Sequence, residues 1–476
     1  MTQYRITRQS MNQVLSRHLS GPGGIFQLLA IAMPMVVSHA CETVMLFTDR
    51  LFLSQVSSVH MAAGMSGGLT AFMFTTFFIG LTGYATPLVA QYLGSGNKKY
   101  CAVVITQAVL ISLVAYPMML SFIPVGHWLF ELVGHNEQQK TLSIIYFDIL
   151  MFGSVIGLLR NSLNGFFCGI GKTRIVMISA IITMVVNVIV NYLLILGKFG
   201  FPALGIKGAA IGTIIGGLSG FLVVVIGYLA YHHRSPQYEL SNGFRFDWLV
   251  MKKLWRYGYP GGLEFFLNLM AFDLMVLLFH SYGPDVAAAT TIALNWDLAS
   301  FIPLIGVNIG VTSLVGRFMG AREPDQAHRV TRSGLKLTTG YGILMLLLFV
   351  VFPKPLVSIF IADAASNPGL SELAEYMVRM VAIYVIADGF ALVYSGALRG
   401  SGDTFWTMVI SVAFHWLFVV EAILMVHVFK LSPKISWAAF VFTIPVIASA
   451  FYLRYRTGRW RKLSVVGQGD VGQAVA

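Results

Sequence analysis

The stretch PMVVSHACETVMLFTD at 34–49 holds two carboxylates, Glu42 and Asp49, inside a run that otherwise reads as a membrane helix. A carboxylate at the centre of a bilayer costs roughly 2.5 to 3.5 kcal/mol on insertion scales, so an acid kept there marks a proton or cation site. Seven residues apart, the two return to nearly the same helical face, about 10 Å from one another. That face must look into a bundle and not at lipid.

The surrounding composition agrees. Of 476 residues 57% are hydrophobic and 11% charged, with a mean hydropathy of +0.75; soluble chains carry about 25% charged residues. This is the composition of a polytopic membrane protein. The net charge of +12 lies in short basic clusters between apolar runs, a pattern that orients a chain in a membrane and argues against nucleic acid. Cys41, Cys101 and Cys168 are odd in number and lie in apolar runs, which supports packing and neither a disulfide framework nor a metal motif. Residues 1–20 show no apolar core followed by a cleavage site and read as a cytoplasmic amphipathic lead-in.

Since about 20 apolar residues cross the hydrocarbon core, the sequence predicts twelve spans: 25–55, 61–93, 101–131, 141–168, 174–196, 206–232, 251–282, 285–319, 327–360, 371–398, 404–429 and 435–455. Of the 32 Lys and Arg, 22 fall at one set of alternate loops and the termini. Only Lys140, Lys198, Lys207, Lys354, Lys430 and Lys434 fall at the other. Both termini are therefore expected in the cytoplasm.

The longest polar linker, 232–248, lies near the middle and separates two related halves. Pro34 and Pro260 head corresponding helices, PLVAQYLGSGN at 87–97 resembles SLVGRFMGARE at 313–323, and FCGIGKT at 167–173 resembles LRGSGDT at 398–404, at offsets of 226, 226 and 231 residues. The expected organisation is a cytoplasmic segment at 1–23, a six-helix lobe at 24–232, a linker at 233–250, a second six-helix lobe at 251–455 and a tail at 456–476. Even-numbered halves enter the membrane in the same direction. Such parallel repeats belong to transporters, with the substrate site between the halves near the midplane.

GIGKT at 169–173 lacks the first Gly of a phosphate loop, having Phe166 there, and its partner carries Asp403 for Lys172; it reads as a tight cytoplasmic turn. Asn187 and Asn191 share a face of the fifth span. By themselves they read as interhelical hydrogen-bonding glue, and beside Glu42 and Asp49 as a cluster that holds a carboxylate and its proton. The second half places Glu264, Asn268 and Asp273 on the seventh span, Asp297 on the eighth, and Tyr384 and Asp388 one turn apart on the tenth. As a set they point to a coupling-ion site, with Arg160 and Arg379 as candidate counter-ions. His39, His415 and His427 have no ligand spacing and read as packed residues. No clustered nucleophile and base supports an enzyme. The 22 Met and 13% aromatic residues suit a cavity that accepts varied apolar cations.

Taken together, Pro34 with FTD at 47–49, LVAQYLGSGN at 88–97, Asn187 and Asn191 leading to LGKFG at 196–200, YGYP at 257–260 and GALRGSGDT at 396–404 make the chain resemble the multidrug and toxic compound extrusion (MATE) family over about residues 24–455. The resemblance implies that Asp49 is the first-helix aspartate whose protonation expels substrate, with Asn187, Asn191, Tyr146 and Thr213 as its polar network. It implies a cation-binding pair at Asp388 and Tyr384, a possible Na+ site, and matches Asp273 to the second of two helix 7 acids. The chain departs from the family eight residues after Pro260, where Asn268 replaces a common Glu; Glu264 lies one turn earlier, and Glu42 holds the equivalent place after Pro34.

The expected protein is an all-α antiporter of two pseudo-symmetric six-helix bundles with a cavity between them. It exports organic cations or amphiphilic drugs in exchange for H+ or Na+. It would need no cofactor, work as a monomer in a bacterial inner membrane, contact lipid and bind no nucleic acid. A flippase for a lipid-linked saccharide is the alternative from the same superfamily. That activity requires Arg or Lys facing the cavity to hold pyrophosphate, whereas the intramembrane charges here are mostly acidic.

Overall fold

The structure, a computed structural model, describes residues 19–132, 136–239, 243–361 and 367–467. Most of the expected lead-in (1–18), the centre of the linker (240–242) and the end of the tail (468–476) lie outside the described residues. Among the described residues twelve helices are long and apolar enough to cross a membrane: α1 Ile25–Val56, α2 Ser58–Gly94, α3 Lys98–Ser121, α4 Glu137–Gly169, α5 Arg174–Leu196, α6 Ile206–Tyr231, α7 Trp248–His280, α8 Pro284–Gly320, α9 Pro324–Val351, α10 Pro368–Ser401, α11 Thr404–Val428 and α12 Pro433–Arg456.

Two expected spans end early. The run 101–131 divides into α3 and a short helix, Ile123–Leu132; 327–360 divides into α9 and Pro353–Ser358. Proline explains both. It has no N–H to continue a helix but fits the first turn of a new one, and Pro124 and Pro353 stand in those first turns. Hydropathy alone cannot see such a break, because the residues on either side are equally apolar.

Helix pairing repeats between the halves. In the first, α2, α3 and α6 pack on α4, and α5 packs on α6; in the second, α8, α9 and α12 pack on α10, and α11 packs on α12. The fourth helix of each half is thus its hub. The turns after the hubs repeat as well. Lys172 N–H donates to the Phe167 carbonyl at 2.7 Å and Asp403 N–H to that of Leu398 at 2.8 Å, each closing around a left-handed glycine, Gly171 (φ +74°) and Gly402 (φ +98°). This is a Schellman closure, so GIGKT is the turn that the sequence predicts.

The described residues form two compact units, one within 37–270 and the other made of 19–36 with those of 271–467. Their boundaries fall inside α1 and α7 instead of in the 233–250 linker, and glycine contacts supply the reason. In the second unit, a Cβ at Gly306 of α8 would meet Val36 Cγ2 at 2.5 Å, and one at Gly310 would meet Leu28 Cδ1 at 2.8 Å. In the first, Gly258 and Gly262 of α7 press on the carbonyls of Leu81 and Phe77 in α2. The early turns of α1 and α7 therefore pack away from the bulk of their own halves. The linker's end also joins the first unit: Thr106 donates to the Gly243 carbonyl at 2.8 Å, and Gln107 to that of Arg245 at 2.8 Å.

Candidate functional site

The first-unit site is built on a ladder of small residues. Gly208, Gly212, Gly216 and Gly220 recur every four residues along one face of α6, and Ser179, Thr183, Asn187 and Asn191 do the same along α5. A Cβ at Gly216 would meet Asn187 Cβ at 2.8 Å; at Gly212 it would overlap the Asn191 side-chain oxygen, and at Gly220 the Thr183 hydroxyl. The Ser179 hydroxyl donates to the Gly220 carbonyl at 2.8 Å. Small residues at this spacing let membrane helices approach closely. Here the approach fixes a polar row between two apolar helices.

Asp49 meets the end of that row. Its carboxylate, 5% exposed, accepts from Asn191 Nδ2 on Oδ1, and the Thr213 hydroxyl lies 3.4 Å from Oδ2. The second Asn191 proton goes to Asn187 Oδ1 at 3.2 Å. Thr213 also lies 3.0 Å from the Ala209 carbonyl; with one hydroxyl proton, it serves either the carboxylate or the backbone. Tyr146 is buried in an apolar cluster with Leu53, Ile195 and Ala209, residues one turn from Asp49, Asn191 and Thr213. Asn187 and Asn191 are fully buried. Among the described residues no basic side chain pairs with Asp49; its sequence neighbour Arg50 is exposed. All the expected first-half residues except Glu42 are thereby brought together.

Glu42 belongs to a different group. Its Oε2 lies 3.2 Å from His39 Nδ1 and its Oε1 3.7 Å from Arg160, which donates to the Thr183 hydroxyl at 2.9 Å. The shared helical face expected for Glu42 and Asp49 is reflected in Thr183 and Asn191, two turns apart on α5. The chemistry differs: Glu42 has cationic partners at ion-pair distance, whereas among the described residues Asp49 makes no salt bridge. His39, expected as a packed residue, is a partner of Glu42.

In the second unit, Asp297 of α8 and Asp388 of α10 lie close to one another, with the Tyr384 hydroxyl against Asp297. Asp297 Oδ1 is buried without a hydrogen-bond partner among the described residues, and no basic residue described pairs with either acid. Arg379, a candidate counter-ion, lies 3.4 Å from Glu375. Two adjacent carboxylates in a low-dielectric surrounding require a proton or cation between them. The remaining acids are divided by the unit boundary. Glu264, 3% exposed, and Asn268 belong to the first unit, and Asp273 to the second. Among the described residues no group of three or more His, Cys, Asp or Glu could hold a metal ion.

Sequence reasoning passed over Glu421 and the partly buried pair of Asp403 with Arg454, in which Arg454 Nε and Nη2 donate to the carboxylate at 2.7 and 3.0 Å. Glu421 sits in an apolar run of α11, the same signal that picked out Glu42 and Asp49.

An all-α chain with twelve spans, a repeated hub arrangement and the intramembrane acids Asp49, Asp297 and Asp388, which make no salt bridge among the described residues, is a polytopic membrane transporter. The MatE family model matches residues 34–193 and 260–424, and the chain belongs to that family. It is 25% identical over 447 residues to a Thermotoga maritima protein named "Probable multidrug resistance protein NorM", covering 92% of this chain and 94% of that one. A Shewanella oneidensis protein of the same name is 28% identical over 394 residues, covering 82% and 84%. Among solved structures, a MOP superfamily transporter from Pyrococcus furiosus superimposes with a TM-score of 0.83 at 18% identity, over 94% of this chain and 98% of that one. A structure described as MATE in the bent conformation gives 0.81 at 18%, over 92% and 96%. These bear out the resemblance and the fold.

Proposed function

We propose that the chain is a multidrug exporter, an antiporter that moves organic cations or amphiphilic drugs outward in exchange for H+ or Na+ by alternating access. Support comes from family membership and from relatives named as multidrug resistance proteins. The observation that carries the reading is Asp49, a buried carboxylate held by the neutral donors Asn191 and Thr213, with no salt bridge to a basic side chain among the described residues. Such a group takes up a cation from whichever side it is exposed to.

The mechanism is competition. With Asp49 ionised, the Asn191 amide and Thr213 hydroxyl point their protons at it and the site favours a cationic substrate. Arrival of the coupling ion neutralises the carboxylate, frees Thr213 to return to the Ala209 carbonyl, and releases substrate. Coupling requires that ion and substrate bind less well together than apart. The exchange is driven by about 2.3 kcal/mol per inward charge per 100 mV. The membrane is a bacterial inner membrane, with both termini cytoplasmic as the Lys and Arg distribution supports.

The test is ethidium accumulation in cells expressing the wild type or Asp49→Asn, in sodium-free and sodium-containing buffer. Asp49→Asn should insert normally and lose export, a drop of tenfold or more, which corresponds to about 1.4 kcal/mol. Sodium dependence of wild-type export identifies the ion. Full export by Asp49→Asn refutes the assignment.

A further inference from the structure

Glu421 of α11 takes no part in the mechanism above. Its Oε1 accepts from the Thr443 hydroxyl of α12 at 2.7 Å; its Oε2 is buried and has no hydrogen-bond partner among the described residues. The charged groups on the helices packed around it are engaged elsewhere or point outward. Lys434 of α12 is held by Glu372 at 2.6 Å, and Arg379 of α10 by Glu375 at 3.4 Å. On α11 itself, His415 Nδ1 lies 2.7 Å from the Ser411 carbonyl, and His427 is exposed.

The repeat gives this pair its place. The offset of 231 set by Gly171 and Gly402 carries Gly212 onto Thr443 and Asn191 onto Ala422, the neighbour of Glu421. At the level where the first unit uses a glycine to admit the amide that holds Asp49, the second places a hydroxyl that holds an acid directly. One turn later the helix changes register into a π-turn, Leu424–Val428, with Phe429 N–H donating to the Leu424 carbonyl at 2.7 Å. Single π-turns inside α-helices recur at functional positions.

An ionised Glu421 would leave a charged oxygen stranded in an apolar surrounding, at high cost. A proton on Oε2 removes that cost and leaves Oε1 accepting from Thr443. We propose that Glu421, held by Thr443, is a proton-binding carboxylate of the second unit, distinct from Asp49 and from Asp297 with Asp388. The proton comes from and returns to water, and no other bond changes.

The test uses the full-length purified protein in lipid nanodiscs without any drug, so that it does not depend on the export reading. Proton uptake on acidification is counted, and the infrared carbonyl band of protonated carboxyl groups is followed. Glu421→Gln should lose one titrating proton per chain and one component of that band, while Asp49→Asn removes a different component. Thr443→Val should shift the Glu421 component and Thr443→Ser restore it. An unchanged proton count in Glu421→Gln overturns the proposal. If that variant does not fold, an unmoved band in Thr443→Val overturns it instead. Loss of export in Asp49→Asn together with an unchanged proton count in Glu421→Gln sinks this inference and leaves the exporter reading standing.

Discussion

The α5–α6 pair of the first unit and the α11–α12 pair of the second occupy the same place in the repeat and are built from opposite material. Along α6 the facing row is Gly208, Gly212, Gly216 and Gly220; 231 residues later it is Ala439, Thr443, Ile447 and Phe451. Ser179, Thr183, Asn187 and Asn191 on α5 correspond to Ile410, Phe414, Phe418 and Ala422 on α11. The first pair closes on a polar row. The second fills its interface with side chains, Phe418 meeting Phe440 at 4.9 Å between ring centroids, and its Asp297, Asp388 and Glu421 stand on α8, α10 and α11. A repeat thus conserves which helices pack together while leaving each half free to place its own acids. In the first unit one carboxylate is held by neutral donors; in the second, Asp297 and Asp388 lie close enough to influence one another.

The strongest way to break this comparison is to fill the glycine ladder. Gly212→Ala puts a methyl where the Asn191 side chain lies, so Asn191 must leave Asp49. Overpacking of this kind costs roughly 1–3 kcal/mol, read as a lower thermal midpoint in detergent, with export falling toward the level of Asn191→Ala. In an Asn191→Ala background the same substitution should cost export nothing further, because the bond it breaks is already gone. Gly217, whose nearest atom is Ile156 Cγ2 at 3.9 Å from an added Cβ, is the control, and Gly217→Ala should be close to neutral. Equal losses at Gly212 and Gly217 would mean that the ladder does not position Asn191.

A smaller effect is expected from the acid pair of the second unit. If Asp297 and Asp388 share one cation, Asp388→Asn and Asp297→Asn should each weaken coupling-ion affinity about tenfold, or about 1.4 kcal/mol, and the double variant should be little worse than either. Tyr384→Phe should have a lesser effect, since it removes one neutral donor. Ion affinity is measured by isothermal titration over sodium concentration and over pH. Additive losses in the double variant would show two independent sites.

Much of this was legible from residues alone because it depends on local patterns. Twelve apolar runs, the Gly171 and Gly402 turns, and Asp49 with Asn187 and Asn191 can all be read along the chain. What could not be read depends on which faces meet. Asp297 and Asp388 lie 91 residues apart in sequence, and their proximity follows only from α8 packing on α10. Glu42 and Asp49 have the same helical phase, yet Arg160 from α4 reaches only the former. The unit boundaries inside α1 and α7 arise from glycine contacts made by their early turns, which leave no composition signal. Glu421 is a different case. Its signal, an acid inside an apolar run, is as plain in the sequence as that of Glu42 and Asp49.

The smallest predicted effect tests the repeat through its backbone. Gly96 (φ +84°) and Arg322 (φ +62°) are counterparts at the 226-residue offset, and both are left-handed. One half uses the residue that adopts this conformation freely, and the other uses one that pays roughly 1–2 kcal/mol for it. A Cβ at Gly96 meets nothing within 4 Å, so Gly96→Ala should cost only that conformational strain, about 1 kcal/mol. Arg322→Gly should recover part of the strain and lose part to the extra freedom of the unfolded chain, leaving a change of about 0.5 kcal/mol or less. Thermal midpoints of the two variants, measured in one detergent, should therefore move unequally, with Gly96→Ala the lower. If Gly96→Ala leaves the midpoint unmoved, the turn at 94–98 tolerates a side chain as its counterpart does, and glycine there is not required by the backbone.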